Sequence, residues 1–370
     1  MSVSIKKIEV LEVELPFKKA FQHALGKRQT SGSVFVKLHL DDGIVGFGEA
    51  LPREYVTGET TESVSGNLQE VLSGKLTGKS FSGFNEAVDF IKNFNRLSGA
   101  ARCCFELSFL DAMGKHFNES LGLIAGKPVN SPFYYSGIIP AVDSLGEILL
   151  EYKRIDFKFI KVKVGTDEDL ERLSSVRKVL GDVDLRVDAN CAWKPDEAIK
   201  RIEKMREFNI SAVEQPTAKD DIQGLKQVKE AVSEAIIADE SLCSMEDARK
   251  LIDLEATDIF NIRLSKCGGI LPSLEIARIA KQHSVKVQLG CHVGESGVLS
   301  AAGRFFACAV EDLKYAEGSY STLLLKKDIT EESVVFGRSG IAYPIEGKGL
   351  GVSAKEEELN KYTISMFVID

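Results

Sequence analysis

Three short apolar runs near the middle of this chain each end on a carboxylate: Leu185-Arg186-Val187-Asp188, Ala212-Val213-Glu214 and Ala235-Ile236-Ile237-Ala238-Asp239. The acids recur at about 25 residues, the length of one strand, one helix and two loops in a βα repeat. The repeat predicts parallel strands side by side, with Asp188, Glu214 and Asp239 at neighbouring strand ends. That edge is where α/β sheets and barrels place their chemistry. Like charges crowded there repel and shift each other's pKa values. A divalent cation relieves the repulsion. Carboxylate oxygens without His or Cys beside them select a hard ion, Mg2+ first and Mn2+ second.

The same alternation extends on both sides. Strands are predicted over 134–139, 157–164, 185–189, 212–214, 235–238, 259–263, 286–289 and 314–316. Helices are predicted over 167–180, 195–208, 245–254, 270–283 and 296–309. Pro195 suits a helix start, where its missing N–H removes no bond. Eight strands with helices between them match a (β/α)8-type barrel. An open doubly wound sheet is the rival, but no Gly-x-Gly-x-x-Gly opens a first βα unit.

Ahead of the barrel the style differs. Residues 5–15 and 33–40 alternate apolar and polar, and Asp41-Asp42-Gly43 turns into a further strand. A polar, flexible loop is expected over 22–32. Ala101, Phe105, Phe109 and Ala112 fall on one helical stripe. Residues 341–370 return to short apolar stretches, expected to pack back on this first module.

The 370 residues leave room for a barrel of about 250 residues and a smaller domain. The formal net charge of −8, with no dense basic run, argues against nucleic acid. No stretch of about 18 apolar residues occurs, so no membrane span is expected. The N-terminus lacks the apolar core of a signal peptide. Seven cysteines without a Cys-x-x-Cys pair fit a reducing cytoplasm, with most thiols as small apolar fillers. Homo-oligomerisation is left open.

In the strand 157–164, Lys161 and Lys163 share one face, and Ile160, Val162 and Val164 share the other. The branched face packs on helices, so both lysines point into the barrel mouth. Burial lowers a lysine pKa from about 10.4, which suits a neutral base near pH 7. Lys266 follows the sixth strand, across the barrel, ahead of Gly268 and Gly269, which permit a tight turn. Asn190, Gln215 and Glu240 are candidates to steady the acids. His292 and Glu295 follow the seventh strand and face the same mouth.

Together, Lys161-x-Lys163, Asp188, Glu214, Asp239, Lys266-x-Gly268-Gly269 and Gly46-x-Gly48-Glu49 resemble the enolase superfamily in its muconate-lactonizing subgroup, over nearly the whole chain. The resemblance implies a (β/α)7β barrel with an N-terminal α+β capping domain. The implied divisions are a capping domain over 1–125, a catalytic barrel over 126–325 and a C-terminal segment over 326–370. It also implies Mg2+ and proton abstraction α to a carboxylate, the chemistry known for a Lys or His base with Mg2+ in that superfamily. Lys163 and Lys266 would flank the α-carbon on opposite faces, and Lys161 would sit by the substrate carboxylate and depress the pKa of Lys163.

Within the subgroup the chain is most similar to dipeptide epimerases, which invert the C-terminal residue of a dipeptide such as L-Ala-L-Glu. An Ala-Glu-like or hydrophobic dipeptide is the expected substrate. An o-succinylbenzoate synthase or muconate-type cycloisomerase would share the same catalytic residues, and a non-catalytic scaffold is the third reading. Two departures bear on substrate. Where the epimerases often carry Asp-x-Asp to hold the substrate ammonium, this chain has Gly318-Ser319-Tyr320, with Glu317 as the nearest acid. Where the Ala-Glu enzymes carry a loop arginine, it has Gly26, followed by Lys27 and Arg28. Gly26, His292, Glu317, Ser319 and Tyr320 are therefore the candidate substrate contacts.

Overall fold

Parallel pairing between chain neighbours builds an eight-stranded sheet in strict sequence order: Gly137–Ile139, Phe159–Lys163, Asp184–Asp188, Ile210–Glu214, Ala235–Ala238, Ile259–Ile262, Lys286–Leu289 and Leu313–Ala316. A parallel bridge from Tyr135 to Ala316, with the Ser136 N–H donating to the Ala316 carbonyl at 2.8 Å, joins the last strand to the first. The sheet is thereby curled into the expected barrel. The structure is a computed structural model describing residues 2–23, 26–97, 99–125, 132–142 and 145–370.

Side-chain alternation decides what each barrel face does. Outward positions such as Ile160, Val162, Val187, Val213, Ile236, Phe260 and Ile262 are buried against the helix layer. Inward positions at the strand starts form a separate apolar plug of Ala212, Ile237, Ile259 and Tyr315, with Phe159 and Ala235 against it. Further along the second to eighth strands the inward positions turn polar or charged, as at Lys161, Arg186, Glu214, Asn261 and Gln288.

The helices start where their sequences offer caps. Ser244 accepts from the Asp247 N–H, Ser296 from Val298 and Asp221 from Gly224. The two longest barrel helices outside the predicted ranges are Gly146–Ile155 and Ile222–Ala231. The second carries a glycine, and its single buried face, Leu225 and Val228, is too short to give a clear period.

The N-terminal module is an antiparallel sheet in the order Thr363–Ile369, Val3–His23, Gly26–Leu40, Val45–Ala50. The C-terminal strand thus pairs with the first strand, with Ile8 opposite Ile369 and Leu11 opposite Met366. The loop expected over 22–32 is overturned. One strand runs to His23 and the next begins at Gly26, with Phe21 opposite Arg28 and His23 opposite Gly26. Polar composition suggested a loop, but ladder pairing uses backbone groups that every one of those residues has. Residues 24 and 25, and the side chains of residues 20–23 and 27, lie outside the described residues.

The Gly46-x-Gly48-Glu49 motif has a packing cause. The strand Val45–Ala50 lies flush on the helix Gly99–Phe117. A Cβ on Gly46 would meet the Ser108 carbonyl at 2.1 Å, and one on Gly48 the Cys104 carbonyl at 1.9 Å. Glu49 at the strand end then reaches into the barrel. Its carboxylate accepts from the Ser296 and Leu299 N–H groups at 3.1 Å each, at the start of the helix Gly297–Ala309. The described cysteines are all free, and among the described residues no helix is long and apolar enough to cross a membrane.

Candidate active site

Strand register sets the first row of the site. Lys163 is the cross-strand partner of Asp188, and Asp188 that of Glu214. Asp239 directly follows the fifth strand, so the three acids stand on three adjacent strand ends, all fully buried. Lys266 lies in the short helix Leu264–Cys267 beyond the sixth strand, four strands from Lys163 and so on the opposite wall.

Each acid is matched to positive or amide groups. Lys161 Nζ lies 3.1 Å from both Asp188 Oδ2 and Glu214 Oε1, and 2.7 Å from Glu317 Oε1. Lys163 Nζ lies 2.6 Å from Asp188 Oδ2 and donates to Asn190 Oδ1 at 2.6 Å. Lys266 donates to Asp239 Oδ1 at 2.8 Å and to the Asn261 carbonyl at 3.1 Å. Arg263 also pairs with Asp239. Glu214 accepts from Asn261 and Gln288 at 2.9 Å each.

Electrostatics follow from this crowding. Burial alone would lower the Lys161 pKa, but Glu214, Glu317 and Asp188 hold it above the ordinary lysine value. The expectation that burial lowers a lysine pKa in this strand is therefore reversed at Lys161, where three carboxylates outweigh burial. Against burial, Lys163 and Lys161 hold Asp188 well below the carboxylate range. Burial, and then the charge of Asp188, push Glu214 up. Burial pushes Lys266 down.

The supporting residues are tied into the same network. Asn190 bridges Lys163 and Glu240, donating to Glu240 Oε1 at 3.0 Å. Gln215 accepts from the Asp239 N–H at 2.9 Å and donates to Ser241 Oγ at 2.7 Å. Asn190 and Gln215 both take left-handed backbone, with φ of 45° and 37°. Such strain persists where surrounding contacts enforce it, commonly at functional sites.

The candidate substrate contacts fare differently. His292 is buried, and burial together with Arg263, Arg53 and Lys266 outweighs the Leu51 backbone and holds its pKa well below the usual value. Glu295 accepts from the His292 N–H at 2.6 Å, and burial pushes it up to about 8. Glu317 is committed inside the barrel, to Lys161 and to Arg186 at 2.7 Å. Ser319 accepts from Arg304 at 3.1 Å, and the Tyr320 hydroxyl donates to the Ser136 carbonyl. Gly26 stands at the hairpin tip, opposite His23.

Sequence reasoning missed Arg186 and Arg263. Arg186 is fully buried, bonds Ser136 Oγ at 3.0 Å and lies 4.4 Å over the Tyr315 ring. The signal was present: Arg186 and Asp188 share the inward face of one strand, as Lys161 and Lys163 do.

Carboxylate donors fit a hard cation. Among the described residues no three His, Cys, Asp or Glu side chains already converge on one point, since the acids turn to ammonium, guanidinium and amide groups. The fit lies in donor chemistry and placement: three buried oxygen donors in a row, plus Glu240 with one unpartnered buried oxygen.

Relatives from three organisms match nearly the whole chain. A hydrophobic dipeptide epimerase from Enterococcus faecalis is 31% identical, over 85% of this chain and 90% of its own. A solved dipeptide epimerase from that organism, complexed with Mg and L-Leu-L-Tyr, has a TM-score of 0.84 and 27% identity, covering 95% of this chain and 99% of that one. An L-Ala-D/L-Glu epimerase from Bacillus subtilis is 30% identical, over 95% and 97%. An N-succinyl Arg/Lys racemase structure from Bacillus cereus has a TM-score of 0.90 and 28% identity, covering 99% of this chain and 100% of that one. Residues 5–126 match the mandelate racemase / muconate lactonizing enzyme N-terminal domain, and residues 145–358 the enolase C-terminal domain-like family. The chain therefore belongs to the mandelate racemase / muconate lactonizing enzyme family of the enolase superfamily.

Proposed function

We propose that this protein is a Mg2+-dependent dipeptide epimerase, an isomerase that interconverts L,L and L,D dipeptides by proton transfer at the α-carbon of the C-terminal residue. One observation carries the reading: a row of three buried carboxylates lies between two lysines on opposite barrel walls. The named activities of the Enterococcus and Bacillus relatives support it, as does the Mg in the Enterococcus complex.

Asp188, Glu214 and Asp239 would hold the ion, with Asn190, Gln215 and Glu240 steadying them. When bound, Mg2+ supplies Lewis-acid charge that offsets the negative charge developing on the substrate carboxylate. The chain's own residues do the rest. Lys161, held by Glu317 and with its pKa raised by the carboxylates around it, would face the same developing charge. Lys163 takes the α-proton on one face and Lys266 returns one on the other, so the configuration inverts. Buried walls exclude water and strengthen every charge contact.

His292, buried among Arg53, Arg263 and Lys266, and Gly26, paired with His23 in the capping sheet, are the remaining candidate contacts. Ser319 and Tyr320 would contribute only by giving up their present bonds. Glu317 is bound to two cations, which favours a substrate whose ammonium is met elsewhere; an Ala-Glu-like and a hydrophobic dipeptide both fit that condition. Mn2+ as an alternative ion, a cytoplasmic location, the divisions near residues 125 and 325 and a homo-oligomeric state complete the proposal.

The test is a dipeptide library incubated in D2O with Mg2+ and read by mass spectrometry. Mass gain of one unit at the α-position, lost on chelation, is the expected result. Dehydration of a cyclohexadiene carboxylate, without dipeptide exchange, would instead identify an o-succinylbenzoate synthase.

A further inference from the structure

Lys266 sits in a four-residue helix, Leu264–Cys267, followed by Gly268, Gly269 and the helix Ile270–Gln282. The first N–H groups of a helix have no carbonyl partner inside it. Here the N-cap residue is Gly269, which has no side chain to offer one. The acceptor comes from the N-terminal module. Glu106, buried on the helix Gly99–Phe117, accepts from the Leu271 N–H through Oε1 at 2.9 Å.

The glycine pair is shaped to this contact. A Cβ on Gly269 would stand 2.5 Å from Glu106 Oε1, and the φ of Gly269 is +107°. A Cβ on Gly268 would stand 3.3 Å from Arg102 Cδ, and Arg102 Nε lies 3.8 Å from Glu106 Oε2. On the other side of Lys266, Ser265 Oγ accepts from the Leu51 N–H at 2.9 Å. The segment bearing Lys266 is thus gripped at both ends by the N-terminal module.

Lys163 has a different support. It ends a regular strand paired on both sides, and its contacts, Asp188 and Asn190, belong to the barrel. We infer that Glu106 is a positioning residue for Lys266: by holding the start of the helix Ile270–Gln282 it fixes the turn that aims this lysine, and leaves Lys163 unaffected. The inference rests on the reading of Lys163 and Lys266 as bases serving opposite faces of the α-carbon.

That dependence gives an uncommon readout, because each base serves one antipode. α-Proton exchange in D2O is followed by NMR from L-Ala-L-Glu, L-Ala-D-Glu, L-Leu-L-Tyr and L-Leu-D-Tyr, with Mg2+-loaded enzyme. Lys163→Ala and Lys266→Ala first assign a base to each antipode. Glu106→Leu should slow exchange from the Lys266 antipode by at least about tenfold, since misplacement near 1 Å costs up to about a hundredfold. The other antipode should stay within about twofold. Glu106→Gln keeps an acceptor for Leu271 and should restore most of the loss.

A second readout needs neither substrate nor metal. Cys267 is buried beside Lys266. Its alkylation rate, located by peptide mapping, should rise at least about tenfold in Glu106→Leu and stay near wild type in Glu106→Gln. Should the Leu variant not fold, Glu106→Asp, one methylene short of Leu271, is read by both assays.

Equal slowing of both antipodes, or unchanged Cys267 alkylation in a folded variant, would overturn the inference. If the two lysine variants silence the same antipode, the two-base reading itself has failed, and the alkylation result still decides whether Glu106 holds the turn.

Discussion

The Lys163 ammonium stands 2.6 Å from a carboxylate oxygen of Asp188, its cross-strand neighbour. A cation held by Asp188 would compete with that ammonium, and the amine so released would face substrate. Removing the competitor should favour the ion. Lys163→Met is expected to tighten Mg2+ binding by about tenfold, read by calorimetry, because a like charge beside the ion is gone. Unchanged affinity would mean that the lysine and the ion do not share Asp188.

The acids should be needed for the ion and the ion for activity. Glu214→Gln or Asp188→Asn should abolish both Mg2+ binding and α-proton exchange. Mg2+ at a hundred times its dissociation constant should add about 2.7 kcal/mol to wild-type stability, measured as a rise in Tm. Neither acid variant should show that rise.

Arg186 and Glu317 form a buried pair whose loss should be costly. Arg186→Met leaves the Glu317 carboxylate with only Lys161 and a longer Gln288 contact. Removing one partner of a buried pair typically costs about 3–5 kcal/mol. Urea denaturation should show a loss of that order, and Arg186→Met with Glu317→Gln should recover part of it. A loss under about 1 kcal/mol, the range of an exposed pair, would contradict the burial argument.

Glu106 also makes stability depend on pH. Burial pushes its carboxyl up to about 7, from 4.5 for an ordinary glutamate. Between those values the folded chain keeps a proton that the unfolded chain has released. The associated stability is complete below about pH 4.5 and is lost as pH rises through about 7. Glu106→Gln removes this loss, so its stability relative to wild type should improve by about 3 kcal/mol between pH 4.5 and pH 8. A relative stability that is flat with pH would contradict the assignment.

What could be read in the sequence was whatever period and spacing encode. Lys161, Lys163 and the three acids were legible because strand alternation puts them on the inward face and the βα repeat puts the strands side by side. The sign of the Lys161 shift was not legible, because its three carboxylate partners come from the third, fourth and eighth barrel strands. The strand pairing of residues 22–23 with 26–27 and onward was hidden because backbone pairing leaves no mark on side-chain polarity. Gly48 and Gly269 looked like turn residues or motif letters. Their packing roles depend on Cys104 and Glu106, on a helix far away in the chain.

The most direct test of the central claim is α-proton exchange from each antipode of one dipeptide in D2O, with Mg2+, for wild type, Lys163→Ala and Lys266→Ala. Wild type should exchange both antipodes, and each variant should lose exchange from a different one while keeping the other. Loss of the same antipode in both variants, or exchange that survives chelation of Mg2+, would contradict proton transfer between lysines on opposite walls of the barrel.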